Sequence, residues 1–326
     1  MREKIFLMLT EAEGFLSGEE MSRRLGISRA AVWKHVKALR EEGCQIEAVT
    51  RKGYRLIVSG LHRGEIAPYL RTKWLGRKQE YFAVTDSTIT EGRAAGERGE
   101  PNGFVIFADQ QRSGRGRLGR PWSSPAGQGI WFSVLLRPRL APAVAPQLTL
   151  ATAVGIANAL TTLGFQPGIK WPNDIFLDGR KVCGILTEMD ADMDKINHVI
   201  VGIGINVKNE DFPGELSDTA TSLYLEARKH QKKCPSRNQV AAELLNALED
   251  AYETLYQKGF LPIREQWLRS NITIGQRVQV KTVTEETRGV AKSMNEEGYL
   301  IIETAEGEEK TVIYGDVIFP DKYKNA

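Results

Sequence analysis

The sequence predicts a three-domain α+β protein, in which a winged helix-turn-helix precedes a central mixed α/β domain and a small C-terminal β-barrel. The N-terminal segment is basic and carries helix-cap and hairpin signals. The central part alternates apolar strand-like runs with helical stripes, and the last part holds only short alternating strands. The chain has 326 residues, more than one typical domain. We predict domains at 1–62 (winged helix-turn-helix and linker), 63–271 and 272–326.

Composition excludes several classes of protein. Hydrophobic residues make up 41% and charged residues 26%, which is ordinary for a soluble globular chain. The apolar run at 130–136 is too short to cross a membrane, and the N-terminus does not resemble a secretory signal. Three scattered cysteines and four histidines without ligand spacing predict neither disulfides nor a direct protein–metal site. We expect a cytoplasmic protein without a membrane partner.

Positive charge is concentrated near the N-terminus. The net charge is only +3, but residues 21–58 hold nine basic and three acidic residues, while residues 59–326 balance at 33 of each sign. A local basic excess on an otherwise neutral chain is typical of a small nucleic-acid-binding module.

Helix signals organise this basic segment. Ser17 and Glu20 have the spacing of a capping box, in which each side chain takes an orphan amide of the second helix. Gly26 supplies the turn that follows. Ser28 can cap a third helix, and its residues at i, i+4 and i+7 form one apolar face: Val32, Val36 and Leu39.

A basic hairpin is predicted over 45–57, with its tip at 51–53. Two helices, a turn, a third helix and this hairpin describe a winged helix-turn-helix, whose third helix enters the major groove of DNA while the wing approaches phosphates. A solvated basic face is the alternative. The residues expected to contact DNA are Ser28, Arg29, Ala30, Trp33, Lys34, Lys37, Arg51 and Lys52.

A glycine–arginine loop (the Gly-Arg loop, residues 110–122) follows the strand predicted at 103–108. Gly114, Gly116 and Gly119 match G-x-G-x-x-G, but a dinucleotide-binding turn leads directly into a helix, and here the chain continues with Pro121. We therefore interpret the loop as a mobile cationic segment that grips an anionic ligand through Arg115, Arg117 and Arg120. By itself it is equally consistent with a flexible surface turn.

A second group of residues favours a binding site. Lys170 and Lys181 lie near opposite ends of one predicted hairpin, with Asn173 and Asp174 between them. Lysine ammonium groups near a carboxylate or phosphate stabilise the charge that develops during acyl transfer. The apolar run at 199–206 contains glycines, which suggest that its backbone approaches a ligand closely.

The C-terminal part predicts a different architecture. A helical apolar stripe at Val240, Leu244, Leu248 and Tyr252 belongs to the central core. Beyond residue 274, short strand-like runs are separated by polar turns, and they suggest a small barrel resembling an SH3 fold. The runs lie at 278–280, 289–291, 299–302 and 311–313.

Together these motifs resemble the family of bifunctional biotin–protein ligases and biotin-operon repressors. The matching segments occur in the family's order: SGRGRLGR at 113–120, KWPND at 170–174, GILTE at 184–188 and GIGIN at 202–206. With the winged helix and the C-terminal strands, the resemblance covers essentially the whole chain. One position departs from it, because many relatives carry Asn or Gln where this chain has Ile89.

The resemblance implies a class II synthetase-like central domain and a two-step reaction. Biotin reacts with ATP, accompanied by Mg²⁺, to give biotinyl-5′-adenylate and pyrophosphate. The biotin then passes to one lysine of a biotin carboxyl carrier domain, such as that of acetyl-CoA carboxylase. With the adenylate bound, the protein represses biotin genes by binding an operator as a homodimer.

The resemblance also assigns residues. Expected biotin-binding residues are Ser87, Thr88, Gln111, Arg115, Gly116, Arg117 and Lys181. Expected ATP- or adenylate-binding residues are Arg120, Lys170, Asn173, Asn206 and Ser222. Lys181 and Lys170 are the expected catalytic residues, and Asp174 either holds Mg²⁺ through water or polarises the acceptor lysine.

Two rival functions remain open from the sequence. A lipoate ligase activates its acid in the same way, although the Gly-Arg loop and the KWPND segment favour biotin. A purely regulatory DNA-binding protein would need only to sense a metabolite, which does not require both Lys170 and Lys181.

Overall fold

The computed structural model describes residues 1–12, 14–41, 44, 46–56, 61–193, 195–282 and 285–320. The linker predicted within the first domain, before residue 63, lies partly outside these residues, as do both ends of the hairpin predicted at 45–57. The described parts form a winged helix-turn-helix, a central α/β domain and a C-terminal β domain, as the sequence predicts.

The N-terminal domain has three helices and a two-stranded wing. These are α1 (Arg2–Glu11), α2 (Gly18–Leu25), α3 (Arg29–Glu41), β1 (Ile46–Val49) and β2 (Gly53–Leu56). The α3 residues predicted to be apolar and inward are at most 1% exposed and share a core with Ile5 and Phe6. This core fixes which face of α3 points outward.

The caps of this domain are partly as predicted. The Ser17 hydroxyl accepts from the Glu20 amide at 3.0 Å, and Gly26 has a left-handed φ of 65°. The second half of the predicted capping box is wrong: the Glu20 carboxylate pairs with Arg23 and Arg24 on the next turn of the helix. Two guanidinium groups within one turn outcompete a backbone amide for a carboxylate.

The central domain is built on seven strands with helices on both faces. Its helices are α4 (Arg63–Ile66), α5 (Thr88–Glu97), α6 (Ala145–Thr162), α7 (Leu216–Thr219), α8 (Leu223–Lys229), α9 (Arg237–Lys258) and α10 (Leu261–Arg269). Its strands are β3 (Gln79–Thr85), β4 (Phe104–Gln111), β5 (Gly129–Leu136), β6 (Gly168–Lys170), β7 (Asp174–Leu177), β8 (Arg180–Ala191) and β9 (Ile196–Asn206). The sheet order is β3-β4-β5-β9-β8-β7-β6, and only the β3–β4 pair is parallel.

Alternation along the strands separates two sides of this sheet. On β4, Val105 and Phe107 join the large core beneath α6 and α9, whereas Phe104 and Ile106 join a small cluster with α5. On β9, Ile200 belongs to the α5 side, and the next two residues of the same alternation are glycines, Gly202 and Gly204. Along β9, the α5 side of the sheet therefore changes from a side chain of the strand itself to glycines, which leave room for side chains from other elements.

Among the described residues, one helix is long and apolar enough to cross a membrane by length and composition, and the sequence analysis of the run at 130–136 did not identify it. An 18-residue window within residues 142–162 has a mean hydropathy of 1.4, and 67% of that window is buried within the protein. Most of α6 packs into the core with α9, including Leu148, Val154 and Leu160. It is therefore the core helix of this domain.

The C-terminal domain is a five-stranded antiparallel sheet in the order β13-β12-β11-β10-β14. Its strands are β10 (Arg277–Lys281), β11 (Glu286–Met294), β12 (Leu300–Glu303), β13 (Glu309–Val312) and β14 (Asp316–Ile318). The sequence predicted four of these and missed β14. Trp171 anchors this domain to the central one, because its backbone amide donates to Thr273 Oγ1 at 2.9 Å and its indole to the Gly298 carbonyl at 3.1 Å.

Candidate functional site

A cavity of about 490 Å³ opens on the α5 side of the central sheet. The first turn of α5, the end of β4, the Gly-Arg loop and strands β7 to β9 line it, and Asp316 of β14 reaches it from the C-terminal domain. All the ligand-site residues predicted from the sequence line this cavity except Lys170 and Ser222. The predicted motifs are thus brought together.

Facing glycines form part of its floor. Gly184 of β8 and Gly204 of β9 are direct partners in the sheet. A Cβ at Gly204 would lie 2.3 Å from the indole nitrogen of Trp122, and one at Gly184 would lie 3.0 Å from the same ring. The glycines are required because Trp122, from the end of the Gly-Arg loop, rests on the sheet.

One end of the cavity is neutral and satisfied by internal hydrogen bonds. The side-chain oxygen of Gln111 accepts two hydrogen bonds from Thr88, one from its backbone amide at 2.9 Å and one from its hydroxyl at 3.1 Å. The side-chain nitrogen of Gln111 donates to Ser124 Oγ at 2.8 Å. Ser133 donates to the Thr88 hydroxyl at 2.9 Å. Ser87 is the N-cap of α5 and is 3% exposed. These groups form an ordered set of neutral donors and acceptors.

Ile89, the departure from the family pattern, lies at this neutral end. It lines the cavity, is 7% exposed and fills the space above Gly202, where an added Cβ would lie 2.6 Å from its side chain. At this position the cavity wall is therefore apolar.

The other end of the cavity is cationic. Arg117 donates to Asn173 Oδ1 at 3.0 Å and to the Gly315 carbonyl at 3.1 Å. The Asp316 carboxylate lies 2.7 Å from the Arg120 guanidinium and 3.6 Å from that of Arg117. The C-terminal domain thus holds the Gly-Arg loop against the central domain through two arginines.

Lys181 is placed for chemistry inside the cavity. Its ammonium lies 2.7 Å from Asp174 Oδ1 and 5.3 Å from the centre of the Trp122 ring. The backbone of Lys181 is fixed as well, because its carbonyl accepts from the Thr221 amide at 2.9 Å. A cation held by a carboxylate and an aromatic face is suited to meet a second anion.

Lys170 and Ser222 are placed elsewhere. Lys170 lies behind the cavity wall, with its ammonium 5.6 Å from the Phe176 ring and 5.2 Å from the Phe319 ring. Burial lowers the pKa of Lys170, and the neighbouring Asp174 opposes that shift. Ser222 is fully buried as the N-cap of α8, and its hydroxyl donates to the Asn209 carbonyl at 2.6 Å.

Asn206, in contrast, does line the cavity, and its amide donates to the Thr221 carbonyl at 3.1 Å. Asn209 lies close by, and its buried Oδ1 has no hydrogen-bond partner among the described residues. An orphaned acceptor in a cavity wall is available to a ligand donor. Sequence reasoning missed Asn209, Trp122 and Asp316, although the glycines opposite Trp122 were a usable signal for a bulky neighbour.

The face of the winged helix that is predicted to contact DNA is exposed to solvent. All the DNA-contact residues predicted on α3 and at its N-cap are exposed, and Trp33 is 56% exposed with the Lys37 ammonium 5.7 Å from its ring centre. Arg51 and Lys52 are exposed at the wing tip. Arg51 has a φ of 68°, which turns the chain between β1 and β2.

Comparison with family models divides the chain in the same way. Residues 1–55 match a helix-turn-helix domain, residues 81–206 match the biotin/lipoate A/B protein ligase family, and residues 273–319 match the C-terminal domain of biotin protein ligases. Cavity residues Asn209 and Asp316 fall outside the second of these ranges.

Whole-chain comparisons extend this result. The chain is 40% identical to the bifunctional ligase/repressor BirA of Bacillus subtilis, over 95% of this chain and 96% of that protein. It is 31% identical to BirA of Escherichia coli, over 92% and 91%. The structure of biotin protein ligase from Aquifex aeolicus in complex with biotin and ATP matches with a TM-score of 0.64 and 29% identity, covering 74% of this chain and 98% of that one. The chain therefore belongs to the BirA family of bifunctional biotin–protein ligases and repressors.

Proposed function

We propose that the cavity activates biotin with ATP as biotinyl-5′-adenylate and transfers biotin to a lysine of a biotin carboxyl carrier domain. The observation that carries this is the pairing, within one cavity, of a neutral hydrogen-bonding end and a cationic end. A ureido ring needs neutral donors and acceptors, and a triphosphate needs cations. Lys181 lines the same cavity, where it can meet the carboxylate that joins the two ligands.

At the neutral end, Ser87, Thr88 and Gln111 hold the head group of biotin. The hydrogen bonds among them keep the donors oriented before the ligand arrives, which lowers the entropy lost on binding. Ile89 offers an apolar surface to the ring. Between the neutral and the cationic end, Arg115, Gly116 and Arg117 close over the carboxylate and the adenylate.

At the cationic end, Arg120, Asn173 and Asn206 bind ATP. Lys170 acts through its charge from behind the wall, and Ser222 acts by capping α8, which starts at the cavity edge. Asp174 and Asp316 are carboxylates suited to the water shell of Mg²⁺, which neutralises phosphate charge when bound with ATP.

The chain supplies no attacking nucleophile, because the acceptor lysine belongs to the carrier domain. Lys181 stabilises the oxygen that becomes negative in both steps, and Asp174 holds Lys181 in place. The closed loop excludes water from the reactive anhydride. Catalysis therefore rests on positioning and electrostatics.

We also propose that the winged helix binds the operator of biotin genes as a homodimer when the adenylate is bound. A single recognition helix reads one half-site, so a two-fold operator requires two copies. The exposed surface of α3 and the wing carries the contacts. A carrier domain approaching the cavity competes with the second copy, and the protein acts in the cytoplasm without a membrane partner.

The ligase proposal is tested by mixing the protein with ATP and either biotin or lipoate. Pyrophosphate release should require biotin, and a carrier domain should then gain one biotin on its lysine. Release with lipoate and none with biotin would assign the other activity.

The repressor proposal is tested with a chain lacking residues 1–62. This truncation should lose operator binding and keep at least part of the ligase reaction. Sedimentation and operator binding of the full chain, with and without biotin plus ATP, test the dimer. Equal association in both states would reject the coupling and leave the ligase activity untouched.

A further inference from the structure

A polar cluster lies at the N-terminal end of α9, outside the cavity wall. It joins the start of the central domain to β3, β4 and α9 through His62, Glu65, Tyr81, Asp109, Arg237 and Asn238. Glu65, Arg237 and Asn238 are at most 8% exposed. The ligase chemistry proposed above uses none of these six residues.

Arg237 bridges two neighbouring strands of the sheet, β4 and β5. Its Nε donates to the Gly129 carbonyl at the start of β5, and its terminal nitrogen donates to Asp109 Oδ1 near the end of β4, both at 2.8 Å. A planar guanidinium with donors in fixed directions sets the separation of these two strand ends. A lysine at this position offers a single ammonium and no such fork.

Both strand ends lead directly into the cavity. Asp109 lies two residues before Gln111, which carries the neutral hydrogen-bond set. Gly129 follows the cavity residue Gln128 and is the sheet partner of Asn206, another cavity residue. A shift at Arg237 therefore moves cavity walls that it does not touch.

The same end of α9 contacts α4 (Arg63–Ile66), which we call the connector because it follows the winged helix in the chain. Asn238 donates to Glu65 Oε2 at 2.9 Å, and Glu65 belongs to α4, the first helix after the linker. Burial raises the pKa of Glu65 to about 7, against the opposing effects of the Asn238 hydrogen bond and the Arg237 charge. Glu65 Oε1 and Asn238 Oδ1 are both buried without a partner among the described residues, a mismatch that a neutral carboxylic acid can relieve by donating.

We propose that Arg237 is a positioning residue for the ligand cavity, and that the Glu65–Asn238 contact links the winged-helix connector to it. Biotin at the neutral end then stabilises the connector, and the connector stabilises the biotin site by the same factor. This inference rests on the proposed function, because it takes biotin as the ligand of the neutral end.

Arg137 provides a matched control at the opposite end of β5. Its guanidinium donates to three backbone carbonyls, those of Gly96, Glu100 and Asn197. Arg137→Lys and Arg237→Lys each remove guanidinium hydrogen bonds at one end of β5, but only Arg237 lies at the end that leads into the cavity. Any effect of general destabilisation should appear in both variants.

The first test compares steady-state constants of these two variants in the full chain. Arg237→Lys should raise the KM for biotin about tenfold, because a displaced end of β4 weakens the neutral hydrogen bonds to biotin, with kcat within about twofold of wild type. Arg137→Lys should leave the KM for biotin unchanged. An unchanged KM in Arg237→Lys, or an equal rise in both variants, would overturn the positioning role. A wild-type protein that fails to use biotin would instead overturn the proposed function.

The second test follows amide hydrogen exchange in α4 with biotin alone as the ligand. Biotin should slow this exchange in wild type, and Glu65→Ala should lose that protection. Glu65→Gln should keep it, because an amide both accepts from and donates to Asn238. Exchange in α4 that ignores biotin in wild type, or protection that survives in Glu65→Ala, would overturn the link to the connector.

Discussion

The two ends of the cavity are built on different physical principles. The neutral end is held by hydrogen bonds among Thr88, Gln111 and Ser124. Its supporting elements, α5 and β4, both belong to the central domain. The cationic end is held by ion pairs that cross from the central domain to Asp316. One end is therefore ordered by local geometry, and the other depends on how two domains meet. The contrast teaches that affinity for the two substrates can be changed separately.

The largest effect should come from the cation that serves both ends. Lys181→Ala should lower the rate of adenylate formation by roughly 10²-fold, the usual effect of losing one preorganised charge donor. Single-turnover pyrophosphate release measures it. Lys229→Ala removes an exposed lysine paired with Asp178 and serves as the control. Equal turnover in Lys181→Ala and wild type would show that this charge is not used.

The cationic end should respond next. Asp316→Asn should raise the KM for ATP about tenfold, since hydrogen bonds to charged groups contribute about 1.5–3 kcal/mol. The KM for biotin should rise less than the KM for ATP, because Asp316 lies 2.7 Å from Arg120 but 3.6 Å from Arg117, the arginine assigned to the biotin carboxylate. Asp316→Glu restores the charge and should recover much of the loss. A parallel rise in both KM values would erase the distinction between the two ends.

A smaller effect is expected at the neutral end. Gln111→Ala removes neutral hydrogen bonds of about 1 kcal/mol and should raise the KM for biotin about fivefold. The ratio to wild type should be the same at low and high salt, because neutral contacts are not screened. The Asp316→Asn ratio should change with salt. Similar salt dependence in both variants would contradict the comparison.

The smallest effect should be a pH dependence of the KM for ATP that the KM for biotin does not share. Burial lowers the pKa of Lys170, so its charge is lost at a lower pH than that of an exposed lysine. Asp174 and Asp316 oppose this loss, whereas Lys181 and Arg120 favour it. As pH rises toward that lowered pKa, the KM for ATP should increase while the KM for biotin does not. Lys170→Arg keeps its charge and should flatten the alkaline limb; a limb unchanged in Lys170→Arg would assign it to another group.

The predictions whose placement the structure matches concern segments that are local in the chain. The Gly-Arg loop lines the cavity and the outer face of α3 is exposed, and each lies within about one element, where the pattern reflects backbone and burial rules directly. The roles assigned to these residues stay predictions. Asp316 was missed because its partner Arg117 is almost two hundred residues away, and nothing in the pattern YGDV marks a charge that crosses between domains. Ser222 was assigned to the nucleotide, yet its hydroxyl serves a helix start; Ser has both uses, and the sequence does not separate them.

The seat of Trp122 has a consequence for how the site can be exchanged between proteins. The indole occupies the space left by two missing side chains on neighbouring strands, Gly184 and Gly204. The loop and the sheet beneath it are therefore complementary in shape, although Gly184 and Gly204 follow Trp122 by about sixty and about eighty residues in the chain. If the loop were grafted onto a scaffold with alanines in place of Gly184 and Gly204, their Cβ atoms would clash with the Trp122 ring. Recombination that keeps the site must carry the bare floor together with the ring that covers it.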